Sequence, residues 1–158
     1  MKTILFGLAV LAGLSLATGS LAANAQVEAP IHQFIDAFNK GDMKTAAATH
    51  LAGGVSIIDE VRPHLWSGPK AFVSWATDLI NDDKAAGVTN EAVALGAVTR
   101  EVISGDDAYV IIAATYNFKQ KGVAMREPAQ MTYAMKKTAA GWKIAGWTWT
   151  GPNPTPVK

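Results

Sequence analysis

At Asn90 the chain changes its period. Before it, apolar residues recur at three- and four-residue spacings; after it they alternate, in four successive runs. The runs read as strands over Glu91–Ile103, Ala108–Phe118, Val123–Lys137 and Trp142–Thr150. Their separators, Ser104-Gly105-Asp106-Asp107, Lys119–Gly122 and Thr138–Gly141, are short, polar and Gly-bearing. Connections of that kind reverse the chain within a few residues, so the second half is expected to fold as an antiparallel meander. A meander buries a face only if another layer covers it, and the first half of the chain supplies that layer. Pro128 cannot donate to a ladder, so it marks a bulge or an unpaired end of its strand.

Three helices are expected ahead of the meander. Glu28–Asn39 takes Pro30 in its first turn and sets Ile31, Phe34, Ile35 and Phe38 on one face. Gly41 ends it and Asp42 caps a second, Ala-rich helix from Met43 to about Leu51. Gly53-Gly54 breaks the pattern, and Val55–Ile58 reads as a strand running into Asp59 and Glu60. After a loop with Pro63, His64 and Trp66, a third helix is expected from Ser67 or Gly68 to Gly87, with Phe72, Trp75, Ala76, Leu79 and Ile80 as its buried stripe. Asp82 and Asp83 stand near its C-terminal end, where the helix dipole disfavours acids.

Two strand details bear on assembly and shape. Val110, Ile112, Ala114 and Phe118 share one face, yet Tyr109, Ile111 and Ala113 make the other face apolar as well. The helices cover one face; a second copy is the economical cover for the other, so a homodimer through the outer sheet face is expected. In the last strand Trp142 and Ile144 differ in parity from Trp147 and Trp149, which requires either two covered faces or a bulge near Gly146.

The N-terminus is of another kind. Lys2 is the sole charge before Glu28, Ile4–Ala17 is a short apolar run, and Ala23-Asn24-Ala25 is an A-x-A exit. That is the pattern of a secretory signal peptide over residues 1–25, with periplasmic or secreted destination. The run is shorter than a membrane span and holds Gly7 and Gly13, so no membrane attachment is expected after its removal. With no Cys in the chain, disulfides and lipid attachment through Cys are excluded. What remains is one domain over residues 26–150 and a Pro-rich tail, Gly151–Lys158, expected to fray. Lys+Arg number 14 and Asp+Glu 13 in the full chain. Losing Lys2 makes them equal, and a neutral domain without a basic stripe is not a nucleic-acid binder.

Phe34-Ile35-Asp36-Ala37-Phe38-Asn39-Lys40-Gly41-Asp42 resembles the first-helix exit of the nuclear transport factor 2-like superfamily, with its N-x-G-D. Val55–Gly68 resembles the first strand of that superfamily and the S-G that opens its third helix; Gly141-Trp142-Lys143-Ile144 resembles its closing G-x-W-x-I strand. The resemblance spans essentially residues 26–150 and extends to the SnoaL-like cyclases and the ketosteroid isomerases. It implies an α+β, cone-shaped, cystatin-like roll: three N-terminal helices on a strongly bent, mainly antiparallel sheet around an apolar pocket.

The ketosteroid isomerases carry an Asp base at the end of the first strand and an oxyanion hole made of a Tyr and a protonated Asp. Asp59 falls at the base position, nine residues before Gly68. Phe34 stands where the Tyr would be and has no donor, while Met131-Thr132-Tyr133 stands where the protonated Asp would be, so Tyr133 is the substitute donor.

Three functions remain open. One is a binding protein for a small apolar molecule, with Phe34, Trp66, Tyr116, Met131 and Trp147 as lining and Asp59 orienting a polar group. A second is a cofactor-independent isomerase, cyclase or hydro-lyase with Asp59 as base and Tyr133 or His64 stabilising an oxyanion. The third is an interaction module whose cone is filled by side chains. Asp59 can alternatively turn the chain through its own backbone, or pair with Arg62. His64 can be a surface residue, and Trp66 a wall or lid. Met125, Met131 and Met135 share a strand face and suit an adaptable wall. His32, His50 and His64 lie on separate elements and no Cys or H-x-H cluster exists, so no metal and no cofactor are expected.

Overall fold

The computed structural model describes residues 15–158. Residues 1–14 of the expected leader lie outside the described residues, and Ala25, its expected last residue, falls inside the first helix. That helix, α1, runs Ser15–Asn39, and Val27, Ile31, Phe34 and Ile35 are among its buried side chains. A short α2, Met43–Ala48, follows. The N-x-G-D stretch between them has a physical role at each position. Asn39 Nδ2 donates to the Val93 carbonyl and the Val93 N–H donates to Asn39 Oδ1, both at 2.8 Å, so one side chain ties the helix exit to the sheet. Gly41 takes a left-handed φ of 69° that lets the chain reverse, and Asp42 accepts from the Thr45 N–H at 3.0 Å as the cap of α2.

Strand β1, Val55–Ile58, does not lead through a plain loop into the third helix. The chain folds back as a second strand, β2, Leu65–Gly68, pairing antiparallel with β1. The expected loop alternates Leu65 exposed and Trp66 buried, and that alternation suffices for a two-stranded edge. Helix α3 therefore begins at Ala71 rather than at Ser67 or Gly68, and ends at Ala86 with Gly87 as a left-handed cap. Its buried stripe is Phe72, Trp75 and Ala76 with Leu79 packed beside them; Ile80, expected in the stripe, is exposed. One residue past the i+7 position, it has rotated off the packed face.

The meander is β3 Val88–Ser104, β4 Asp107–Gln120, β5 Val123–Thr138 and β6 Gly141–Thr150. With a two-residue β7, Thr155–Pro156, the sheet has seven strands in the order β2-β1-β6-β5-β4-β3, with β7 on β5. All pairs are antiparallel except β1 with β6. That parallel contact is close: a Cβ on Gly146 would stand 2.8 Å from the Ser56 carbonyl oxygen, so only Gly fits. The bulge expected near Gly146 is present. Ala134 pairs with Gly146 but Met135 pairs with Ile144, which leaves Ala145 over and turns Trp147 to the same buried face as Trp142 and Ile144. Register shifts along β3 against β4 add to the bend of the sheet.

The tail is not frayed. β5 extends past the end of β6, since the last β6 residue, Thr150, pairs with Gln130. The free edge below it takes Thr155 and Pro156 against Arg126 and Met125, and the Val157 N–H donates to the Ala124 carbonyl at 2.9 Å. Pro128 lies on the same overhang, beyond the reach of β6, where its missing donor costs nothing. The fold is the α+β roll, with α1, α2 and α3 packed on the concave face of a strongly curved sheet. Among the described residues no helix is long and apolar enough to cross a membrane.

Candidate functional site

Between the concave sheet face, α1 and α3 lies a cavity of about 200 Å³. Its floor is aromatic. Phe34 comes from the inward stripe of α1, Trp75 from that of α3, Trp147 from β6 just past the bulge, and Met131 from β5. Trp75 and Trp147 meet edge to face with centroids 4.9 Å apart, and Phe34 lies 5.7 Å from Trp147. Tyr116 and Trp149 line the side toward the outer strands, 6.2 Å apart and edge to face.

The floor rests on His50, which lies below the cavity in a shell of aromatic rings. Its Nδ1 donates to the Ala46 carbonyl at 2.9 Å, and its Nε2 accepts from the Trp147 indole at 3.1 Å. Burial holds its pKa down at about 4, so the ring is neutral and fixed as one tautomer. Its role is to orient Trp147. Thr49-His50, just past the end of a short Ala-rich helix, gave no sign of this, because the partner lies 97 residues away.

Asp59 enters the cavity from the end of β1, and each of its oxygens has an assignment. Oδ1 accepts from the Glu60 N–H at 2.6 Å and turns the chain; Oδ2 accepts from the Trp75 indole at 2.7 Å inside the cavity. Burial pushes its pKa up, against the pull of Trp75 and of the Glu60 and Val61 N–H groups. The ion pairs among the described residues do not include Asp59 with Arg62.

Of the residues singled out in the sequence, Asp59, Phe34, Tyr116, Met131 and Trp147 line the cavity; His64, Trp66 and Tyr133 do not. His64 is exposed on the β1–β2 turn, with φ 77°, and its ring reaches only the Asp59 carbonyl. Trp66 is buried on the helix-covered face, paired with Ile57, where its indole donates to Asp78 Oδ2 of α3 at 2.8 Å instead of reaching the cavity. Tyr133 is fully buried beneath the floor, and its hydroxyl is used by the Met131 sulfur at 3.0 Å. Of the three methionines on β5, Met131 alone reaches the cavity.

The sequence reading missed the acids. Glu60, Asp82 and Asp83 line the cavity beside Asp59, and no Lys, Arg or His does. Glu60 is exposed along its length, yet it borders the opening and stands near Glu127. Glu127 is 0 % exposed: its Oε1 accepts from the Trp149 indole at 2.8 Å, and its Oε2 has no hydrogen-bond partner. Partial burial first, then the carboxylates of Glu127 and Asp59, push Glu60 up to about 7. Burial and Glu91 push Asp83 up to about 7 as well. Burial holds the Tyr116 phenol well above its ordinary range, and its hydroxyl is buried without a partner. The positions of Asp82 and Asp83, unfavourable for a helix end, are thus positions on the cavity wall. No group of His, Asp and Glu among the described residues is suited to holding a metal ion.

Solved structures share this architecture. A hexachlorocyclohexane dehydrochlorinase, LinA type 2, aligns with TM-score 0.73 at 13% identity, covering 90% of this chain and 93% of its own. A ketosteroid isomerase-like protein from Erwinia carotovora atroseptica aligns with TM-score 0.63 at 23% identity over 82% of this chain and 96% of its own. A candidate scytalone dehydratase from Novosphingobium aromaticivorans aligns with TM-score 0.70 at 10% identity over 90% and 93%. At such identities the likeness is one of fold. No curated protein is significantly similar in sequence. Residues 27–148 match the SnoaL-like domain, and the chain belongs to that family within the nuclear transport factor 2-like superfamily.

Proposed function

We propose that the protein binds a small, largely apolar molecule in this cavity, with the Asp59–Trp75 pair engaging a polar group on it. One observation carries the reading: buried aromatic rings from three separate elements line one cavity with a carboxyl, held by the Trp75 indole, that has no ion-pair partner among the described residues. The neutral fluorophore N-phenyl-1-naphthylamine tests it. Saturable binding to the wild type is expected, and Leu79→Trp, which fills the cavity from the half-buried side of α3, should weaken it at least tenfold. Absence of saturable binding would remove the reading.

A second reading, proton transfer, is favoured by the raised pKa of Asp59. Asp59 would take a proton beside a carbonyl. The unpartnered hydroxyl of Tyr116, rather than Tyr133 or His64, would donate to the oxyanion. Asp59→Asn should then abolish turnover while leaving affinity within a few-fold; equal loss of both would favour binding alone.

Export and dimerisation belong to the same proposal. Residues 1–25 are the proposed leader, and intact mass of exported protein should begin at Gln26. The outward face of β4 bears Tyr109, 41 % exposed, with Ile111 and Ala113 half-buried beside it, an apolar surface suited to a second copy. A concentration-independent monomer in sedimentation would remove the dimer.

A further inference from the structure

We propose that the molecule this cavity takes is an organic cation: an ammonium centre carried on an apolar body, with the body on the aromatic floor and the charge among the acids of the wall. The inference rests on the reading that the cavity binds a small molecule, and it names the class.

Four observations lead to it. First, the cavity's ionisable wall carries one sign, with Asp59, Glu60, Asp82 and Asp83 and no basic side chain. The whole chain has a net charge of only +1, so this acidity is local. Second, Asp82 and Asp83 sit in the last turns of α3, a 16-residue helix whose C-terminal end is itself the negative pole of its dipole. The helix is weakened by acids there, and the field they add points into the cavity. Third, Glu127 is buried completely, with Oε2 lacking any partner. It lies directly behind the Trp149 ring that lines the cavity and within reach of Glu60. A buried carboxylate normally has a counter-charge, and no ion pair among the described residues supplies one to Glu127. Fourth, Trp75, Trp147, Trp149 and Tyr116 line the same space, and the π face of such a ring attracts an ammonium group over a neutral one of equal shape.

Burial first, and then neighbouring carboxylates, already hold Glu60 and Asp83 up at about 7, while His64 is the basic group that acts on Asp59. A bound cation would favour their charged forms and release protons, so its affinity should rise with pH between about 6 and 8.

The test is a matched pair of probes, benzyltrimethylammonium and its uncharged carbon isostere neopentylbenzene, titrated into the full-length mature protein and followed by the indole N–H signals of Trp147 and Trp149. The cation is expected to bind at least tenfold tighter at pH 7.5, and Glu60→Gln with Asp82→Asn, both at exposed positions, to reduce that ratio at least threefold. Equal or tighter binding of neopentylbenzene overturns the inference and leaves an apolar-ligand cavity standing. A cation preference unchanged in the double variant overturns it too, since the acids are then not its source. If neither probe moves the indoles while N-phenyl-1-naphthylamine also fails to bind, the cavity reading falls with it.

Discussion

The two walls of the cavity are built on opposite terms. On the floor, polar atoms are matched within the chain: the Trp147 indole has His50, the Trp75 indole has Asp59, and the Tyr133 hydroxyl has the Met131 sulfur. On the acid side, Glu127 Oε2 and the Tyr116 hydroxyl are buried and unpartnered, and Glu60 and Asp83 are held up at about 7 by burial and by other carboxylates beside them. A fold gains nothing from the second arrangement. Internal matching marks the part of the molecule that stabilises the domain; unmatched groups mark the part left for something that arrives from outside.

The sharpest way to break that comparison is at His50. Replacing it with Leu keeps the volume but leaves the Trp147 N–H buried without an acceptor, and it removes ring contacts to Phe34 at 4.9 Å and Phe72 at 4.6 Å. A buried donor left unmatched and lost aromatic packing together should cost about 2–4 kcal/mol in urea unfolding. Asp82→Asn, on the exposed wall, should stay within about 0.5 kcal/mol. Similar costs for the two variants would mean the walls do not differ as described.

Their pH dependences should run in opposite directions. His50 is held down at about 4 when folded, against about 6.5 when unfolded. The unfolded chain binds more protons between those values, so stability is full above 6.5 and falls as pH drops toward 4, by about 3 kcal/mol for so buried a ring. Asp83 and Glu60 are raised, so the folded state binds more protons: their contribution is present at low pH and is lost as pH rises from about 4 to about 7. Both are solvent-screened, which limits each to about 1 kcal/mol. Thermal unfolding of Asp83→Asn should therefore match wild type at pH 4 and exceed it by about 1 kcal/mol at pH 8. A gain at pH 4 instead would assign the effect to packing.

The floor and the frame were largely legible in the sequence because they follow from periodicity. The alternation after Asn90 marked four strands to within three residues at each end, and the parity change between Ile144 and Trp147 marked the bulge. Asp59, Phe34, Met131 and Trp147 followed from their places in those elements and from the family resemblance. The acid wall was not legible, because its members come from four elements and share no local pattern. Asp82 and Asp83 were visible only as acids at an unfavourable helix end, a conflict with local preference that marked the site without naming it. Glu127 sits on a strand between Arg126 and Pro128, where an exposed acid is the ordinary expectation, yet it shares the parity of Met131 and Met135 and so faces inward with them. Tyr133 and Trp66 show the converse error. Their chemistry suited a site, but the register directed one beneath the floor and the β1–β2 hairpin brought the other to Asp78 on α3, outside the cavity.

The smallest expected effect belongs to the tail, which closes the acid side. Pro154 lines the cavity, and β7 holds it there by pairing with the overhang of β5 at Met125 and Arg126. Two exposed paired residues contribute little to a domain whose core lies elsewhere, so a chain ending at Gly151 should lose less than about 1 kcal/mol in urea. Gly151 must stay, because its backbone lies against the Glu127 carboxyl and a side chain at that position would displace it. The loss should instead appear in ligand affinity, as a few-fold weaker hold on N-phenyl-1-naphthylamine, with Leu79→Trp still far more damaging. Unfolding by several kcal/mol would place the tail with the floor, as a part of the fold; weakened binding at unchanged stability would place it with the acids, as a part of the site.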